Sequence, residues 1–189
     1  MSFDQMMLHF GAPTICGIKP ANLFSVKKEC FSDEAFLEWR RHLQKNKISA
    51  FCAPQKKNAL VFLYNSDWLK KILGDAFVQD YLAQKGYPRN SRGDCVLKEL
   101  CRRMSAQKKF PHEIGVLLGY PIRDVIEFEK NAGKGCKFCG AWKAYSDEAR
   151  AKEFFLRARS CCCLCEKWFE RGYSLGRIIK KYKKAQKAA

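Results

Sequence analysis

The sequence ISAFCAPQKKNALVFLY at residues 48–64 decides the fold. Two apolar runs, residues 48–53 and 59–64, flank the polar segment Pro54–Asn58, which has the length and composition of a hairpin connection. The second run is apolar without interruption, so we expect its strand to be buried on both faces and to lie centrally in a sheet. The stretch therefore predicts an antiparallel hairpin.

Helix-forming patterns recur on both sides of this hairpin, with apolar positions at a period of 3.6 and capping residues at Ser32, Asp75 and Asp94. They cover residues 2–9, 32–46, 66–73, 75–86, 94–104 and 146–171. Short strands are expected at residues 23–26 and 142–145. The pattern predicts an α+β fold, a small antiparallel sheet covered by several helices, with a helical C-terminal half.

Length and composition indicate one folded domain over residues 1–176, followed by a basic C-terminal tail over residues 177–189. No apolar run has the length of a transmembrane segment, and the N-terminus lacks the features of a secretion signal, so we expect a cytoplasmic protein. The formal charge is +17, and residues 177–187 contain six basic and no acidic side chains. Such a charge suits polyanion binding, although a solvated lysine-rich surface explains it as well.

Residues 110–128, FPHEIGVLLGYPIRDVIEF, have the pattern of two helices joined by a tight turn. Pro111 and Pro121 suit first helical positions, and Gly119 suits a left-handed C-cap. DNA-binding helix-turn-helix motifs have the same order of helix, tight turn and helix. However, residues 121–130 have two basic and three acidic side chains, and this net negative charge opposes contact with phosphate groups. A packed helical hairpin is therefore the favoured interpretation.

The chain contains eleven cysteines. In a reducing compartment these thiols are buried apolar groups, metal ligands or reactive groups. Cys136 and Cys139 form a CxxC motif, and Cys161 and Cys165 lie one helical turn apart, so the four could bind zinc or an iron–sulfur cluster. Alternatively, Cys161 and Cys165 belong to the apolar face of a long helix and serve only as small hydrophobic residues.

Several motifs resemble a bacterial family known as domain of unknown function 3793 and together span nearly the whole chain. They are residues 12–14 (APT), 17–24 (GIKPANLF), 110–115 (FPHEIG), 118–121 (LGYP) and 140–145 (GAWKAY). The resemblance implies no established activity, but it points weakly to partners among iron-linked or flavodoxin-linked redox proteins. Family members have a His-Cys pair directly before the first motif, whereas Phe10 and Gly11 occupy those positions here.

Candidate functional residues fall into two further groups. If the protein is an enzyme, a question that the sequence leaves open, we expect its catalytic residues among His112, Glu113, Cys16 and Lys19. If it binds nucleic acid, the contacts are expected from the basic tail, through Arg177, Lys180, Lys181, Lys183 and Lys184, although a frayed, solvated terminus is the favoured interpretation of this segment. The leading hypothesis is an accessory protein in iron or redox metabolism that uses thiols or a thiolate-bound metal. A nucleic-acid-binding module and a non-catalytic interaction protein are the alternatives.

Overall fold

The computed structural model describes residues 1–54, 56–106 and 111–188. Phe110, the first residue of the predicted helix pair, therefore lies outside the described residues. The chain divides into two compact units, one formed by Met1–Asn65 with Leu156–Ala189 and the other by Ser66–Phe155. We refer to these as the first and the second unit and describe each by itself. The single domain over residues 1–176 stays a prediction.

The first unit contains a three-stranded sheet, which is small and antiparallel as predicted. Its strands are β1 (Ala21–Lys27), β2 (Ile48–Pro54) and β3 (Asn58–Asn65). They are arranged in the order β1-β3-β2, and Phe62 of β3 is paired with Leu23 on one side and Phe51 on the other. Val61, Phe62 and Leu63 are almost completely buried. The prediction that residues 59–64 form the central strand is confirmed.

Two helices precede and follow β1 in the first unit. Helix α1 (Phe3–Ile15) packs on β1 and β3, and helix α2 (Asp33–Gln44) packs on β2. Ser32 caps α2 as predicted, because its hydroxyl accepts a hydrogen bond from the amide of Ala35 at 3.2 Å.

The prediction that α1 ends before Gly11 is wrong, since the helix continues to Ile15 through Pro13. Tertiary packing outweighs the local preferences here: residues 11–15 are all buried, and a Cβ atom at Gly11 would lie 2.5 Å from Leu63 Cδ1. Glycine is therefore required by close contact with the sheet and does not end the helix.

The second unit is mainly helical. It contains α3 (Ser66–Leu73), α4 (Ala76–Gln84), α5 (Gly93–Ala106), α6 (Ile114–Leu117) and α7 (Ile122–Lys130), and a two-stranded sheet of β4 (Phe138–Cys139) and β5 (Lys143–Ala144). Asp75 caps α4 as predicted. Asp94 lies in the first turn of α5 and is not its N-cap, because the helix already begins at Gly93. Gly93 has no side chain and therefore allows close approach to Leu69.

The predicted helix pair is a packed hairpin whose first helix, α6, has a single turn. Gly119 has the expected positive φ of 83°, whereas Pro121 is the N-cap of α7 and not its first helical residue. A Cβ atom at Gly115 would lie 2.9 Å from a Val125 methyl group, so glycine allows α6 and α7 to pack closely. Asp124 of α7 is buried and faces the protein interior.

The last two helices are α8 (Glu148–Glu170), which begins in the second unit and ends in the first, and α9 (Leu175–Ala188). Residues 177–188 are helical, so the expectation of a frayed terminus is wrong for this segment. Ile178, Ile179 and Tyr182 are buried in the first unit, which explains why the segment is ordered as a helix. The α+β fold class, with helices in the C-terminal half, is confirmed. None of the helices in the described part of the chain is long and apolar enough to cross a lipid bilayer.

Candidate metal centre

Three buried cysteines of the first unit bring their sulfur atoms together: Cys16, Cys161 and Cys165. All three Sγ atoms lie within 4.8 Å of one another, and those of Cys16 and Cys165 are 3.6 Å apart. The three residues are at most 2% exposed. No fourth Cys, His, Asp or Glu ligand atom joins this group among the described residues. We call these residues the cysteine triad.

The backbone at the end of α1 places Cys16. Gly17 adopts a left-handed conformation with φ of 77°, and the amide of Ile18 donates a hydrogen bond to the carbonyl of Pro13 at 2.7 Å. The Gly17 amide donates to Thr14 at 3.1 Å, which completes a Schellman motif. Because this motif fixes the chain reversal directly after Cys16, it also fixes the direction of the thiol.

Helical spacing on α8 places the other two thiols. Residues four positions apart lie on the same face of a helix, so Cys161 and Cys165 point to the same side. Next to them, Glu166 Oε1 lies 2.5 Å from His9 Nδ1 of α1, a contact that holds the two helices together close to the triad. Sequence spacing predicted the pairing of Cys161 with Cys165, whereas their proximity to Cys16 depends on this packing.

The pKa values of the three thiols in the triad are shifted in different directions. Hydrogen bonds from Cys16 and Cys161 lower the pKa of Cys165 to about 4, although burial opposes this change. Hydrogen bonds to Cys16 and Cys165, together with burial, raise the pKa of Cys161 far above its ordinary value. The hydrogen bond with Cys161 lowers the pKa of Cys16, but the bond to Cys165 and burial outweigh it and raise the pKa on balance. Ionisation within the triad is therefore favoured at Cys165 and disfavoured at Cys16 and Cys161.

The spacing of the sulfur atoms fits a single metal ion. A zinc–sulfur bond of about 2.3 Å places the sulfurs of a tetrahedral or trigonal site about 3.8 to 4.0 Å apart. Sulfur positions within 4.8 Å of one another need only small side-chain adjustments to reach that spacing. The thiolates of a four-iron cluster each bind a different iron, so they lie farther apart than the ligands of one ion. The triad can therefore hold one thiophilic ion more readily than a cluster.

Comparison with known protein families identifies the family of the chain. A family model described as "Protein of unknown function (DUF3793)" matches residues 7–179, which include all three cysteines. The chain belongs to this family. No curated protein and no solved structure matches the chain. The resemblance found in the sequence motifs is thus confirmed over most of the chain.

The other half of the metal site predicted for this DUF3793 protein lies in the second unit. Cys139 ends β4 and Cys136 precedes that strand by two residues; the amide of Lys137 donates to Ala144 at 2.9 Å and that of Gly140 to Trp142 at 3.0 Å. Cys136 is half-buried and Cys139 is exposed. The CxxC motif therefore lies on a small hairpin, while Cys161 and Cys165 belong to the first unit. A site that combines all four thiols stays a prediction.

Lys19 lies close in sequence to the triad and is buried, with 6% exposure. Burial lowers the pKa of its amine to about 8, a shift that the neighbouring Cys162 partly offsets. Burial and the charge of Glu166 in turn raise the pKa of the Cys162 thiol to about 12. Cys16 and Lys19 are thus both in the interior of the first unit, and their role in catalysis stays a prediction.

His112 and Glu113 belong to the second unit. The Glu113 carboxylate is buried, accepts a hydrogen bond from the Tyr87 hydroxyl at 3.1 Å and pairs with Arg103 at 3.3 Å. His112 is exposed, and its imidazole packs against Phe128 with ring centres 5.0 Å apart. These contacts give Glu113 an evident structural role. A catalytic role for His112 and Glu113 stays a prediction.

Proposed function

We propose that this protein binds a single divalent thiophilic metal ion through Cys16, Cys161 and Cys165 and acts as an accessory protein in iron or redox metabolism. The observation that carries the proposal is the convergence of three buried thiols, from two distant parts of the sequence, within 4.8 Å of one another. Thiolate ligands select soft and borderline ions, among which zinc and iron are common in proteins.

Charge balance supports a divalent ion. The directions of the pKa shifts favour ionisation at Cys165 and protonation at Cys16 and Cys161, so we expect the metal-free triad to have one negative charge. A divalent ion bound by three thiolates would release those two protons and leave the site with the same charge of −1. A monovalent ion would leave it with −2, which costs more in a buried environment. Zn²⁺ and Fe²⁺ therefore suit the triad better than Cu⁺.

Burial supports a site that retains its ion. Catalytic zinc sites have three protein ligands and keep one coordination position open to substrate, whereas structural sites are closed by four. Three ligands leave a fourth position here, so the burial of the site decides whether a substrate can reach it. The three ligands are at most 2% exposed, so exchange with solvent is expected to be slow. A firmly held ion agrees better with this burial than a hydrolytic centre, which substrate and water must reach.

The proposal is tested by measuring metal content after anaerobic purification, together with the absorption spectrum of the Co²⁺-loaded protein. We expect about one ion per chain and a thiolate-to-cobalt charge-transfer band. Cys16→Ser, Cys161→Ser and Cys165→Ser should each lose most of the metal and weaken that band. Elemental analysis distinguishes zinc from iron.

Cys163→Ser is the matched control, because Cys163 lies on the same helix between Cys161 and Cys165 but is exposed. It should retain full metal content. The variant with Cys136→Ser and Cys139→Ser tests the four-thiol alternative, since a loss of metal there would show that the CxxC motif also provides ligands. Wild-type protein that binds neither Zn²⁺, Fe²⁺ nor Co²⁺, with triad variants that are indistinguishable from it, would refute the proposal.

A further inference from the structure

Helix α9 has two opposite faces of different chemistry. Ile178, Ile179 and Tyr182 are at most 6% exposed and attach the helix to the first unit. Burial and the neighbouring Cys161 raise the pKa of Tyr182, which places the buried face next to the triad. At 100° per residue, the side chains of four basic residues fall on the side opposite this buried face, and that of a fifth flanks it. The four are Arg177, Lys180, Lys181 and Lys184, the fifth is Lys183, and all five are exposed.

The positive charges of this face lie in a part of the sequence that contains no acidic residue. The last acidic residue of the sequence is Glu170, so residues 171–189 contain no carboxylate side chain. No carboxylate of the described residues forms an ion pair with any of the five basic side chains. Arg177 lies over the Tyr173 ring at 4.5 Å, and Lys181 lies over the Trp168 ring at 5.3 Å. These aromatic contacts hold two of the cations in place while leaving their charge available.

The net charge of the whole first unit has the same sign as the basic face of α9. The first unit contains 19 basic and 7 acidic residues and the second 17 and 12, so the formal charges are +12 and +5. The cations of α9 therefore lie in the more strongly basic unit. A positive potential of this extent attracts polyanions and accelerates their association.

The chemistry of the face indicates which polyanion it suits. A membrane-bound helix inserts its apolar side into the lipid, but here that side is already buried in the protein. A protein partner requires exposed apolar anchor residues at the centre of the interface, whereas the apolar residues among these cations, Ile178, Ile179 and Tyr182, are buried in the first unit. Lysine-rich surfaces bind phosphate groups as point charges, without the bidentate geometry that reads bases.

We propose that the exposed basic face of α9 binds the phosphate backbone of nucleic acid without sequence preference. From Arg177 to Lys184 the helix rises about 10.5 Å, a length that allows contact with several consecutive phosphates. This proposal rests on charge and helix geometry and is independent of metal binding. It assigns a nucleic-acid-binding role to Arg177, Lys180, Lys181 and Lys184, with Lys183 at the edge of the face.

The test is fluorescence anisotropy of a labelled single-stranded RNA of mixed sequence, titrated with the full-length protein at several KCl concentrations. Four phosphate contacts predict that the logarithm of the association constant falls with the logarithm of salt concentration with a slope of about −3. The variant Arg177→Gln/Lys180→Gln/Lys181→Gln/Lys184→Gln should lose at least tenfold in affinity at the lowest salt concentration, and the magnitude of its slope should fall by more than half. Far-UV circular dichroism should remain unchanged, because all four side chains are exposed.

The matched control neutralises four exposed basic residues elsewhere in the first unit, by the changes Lys28→Gln, Arg41→Gln, Lys45→Gln and Lys57→Gln. This control variant has the same net charge as the α9 variant, because each replaces one arginine and three lysines by glutamine. Its affinity should lie within about threefold of wild type. An equal loss in both variants would overturn the proposal, because binding would then follow net charge alone. No wild-type binding at low salt, or equally good competition by polyglutamate of matched charge, would also overturn it.

Discussion

Asp124 of α7 provides the most direct test of how the second unit is held together. Its carboxylate is 2% exposed and accepts three hydrogen bonds, from Trp142 Nε1 at 2.7 Å, the Tyr145 amide at 3.0 Å and the Ser146 amide at 2.8 Å. Oδ1 accepts both amides and Oδ2 accepts the indole. The carboxylate therefore fixes the chain between β5 and α8 to α7.

The informative perturbation is Asp124→Asn. An asparagine can keep its carbonyl oxygen on the two amides, but its NH₂ group then faces the Trp142 N–H, so that two donors oppose each other. Losing one charge-assisted hydrogen bond and leaving a buried donor unsatisfied costs about 2 to 4 kcal/mol. The free energy of unfolding of a typical domain is about 5 to 15 kcal/mol, so the effect should be easy to measure.

Trp142→Phe separates this mechanism from a general loss of packing. It removes the indole donor and keeps an aromatic ring next to Tyr120, whose ring centre lies 5.1 Å from that of Trp142. In the background of Asp124→Asn, the phenylalanine removes the donor–donor conflict. The double variant should therefore be about 1 to 2 kcal/mol more stable than the sum of the two single effects predicts.

Urea unfolding followed by circular dichroism gives these free energies, and hydrogen exchange of the Tyr145 and Ser146 amides gives a local measurement. Both amides should exchange faster in the Asp124→Ala variant, which removes their acceptor. Strictly additive effects of Asp124→Asn and Trp142→Phe, with unchanged exchange at both amides, would refute this reasoning.

Low pH should weaken the hydrogen bonds that the Asp124 carboxylate accepts. Burial raises the pKa of Asp124, but its hydrogen bonds from Trp142, Ser146 and Tyr145 outweigh burial and lower the pKa below its ordinary value of 3.8. A carboxylate with a lowered pKa stabilises the fold above its unfolded-state pKa and loses that contribution as the pH falls through the folded-state value. The stability difference between wild type and Asp124→Asn should therefore be full at pH 7 and shrink below about pH 4.

Two further predictions concern the packing and the charges of the second unit. Gly115→Ala should destabilise the protein by about 1 to 3 kcal/mol because its methyl group would collide with α7, whereas Gly176→Ala, in open space on α9, should be neutral or slightly stabilising in the same thermal unfolding assay. Arg103→Met should cost about 3 to 5 kcal/mol because it leaves Glu113 buried without its cation. Exposed Arg102→Met should change stability far less, and equal effects of the two arginine variants would contradict this explanation.

The sheet and several helix ends were predictable because their signals are local. The uninterrupted apolar run at residues 59–64 identified the central strand, and the side chains of Ser32 and Asp75 marked the starts of two helices. The end of α1 was not predictable from local preference. Gly11 and Pro13 normally indicate a helix end, but burial of this segment against β3 outweighs that tendency.

The candidate metal centre was predictable only in part. The spacing of Cys161 and Cys165 indicated a shared helical face. Cys16 is about 145 positions away in the sequence, and its approach to them depends on the packing of α1 against α8. The sequence contains no local signal for such a contact. The charge count of α7 shows a similar limit of prediction from sequence. It includes Asp124, whose carboxylate is buried and hydrogen-bonded inside the protein.

The division of the first unit between both ends of the sequence has a consequence for the order of synthesis. Residues 1–65 leave the ribosome well before residues 156–189, which complete the same unit. At a synthesis rate of about 5 to 20 residues per second, Cys161 and Cys165 are made roughly 7 to 30 s after Cys16. Throughout that interval its thiol lacks the two partners that bury it. If the triad binds metal as proposed, loading is thus a late event, and the Cys16 thiol is open to reaction before its partners are made.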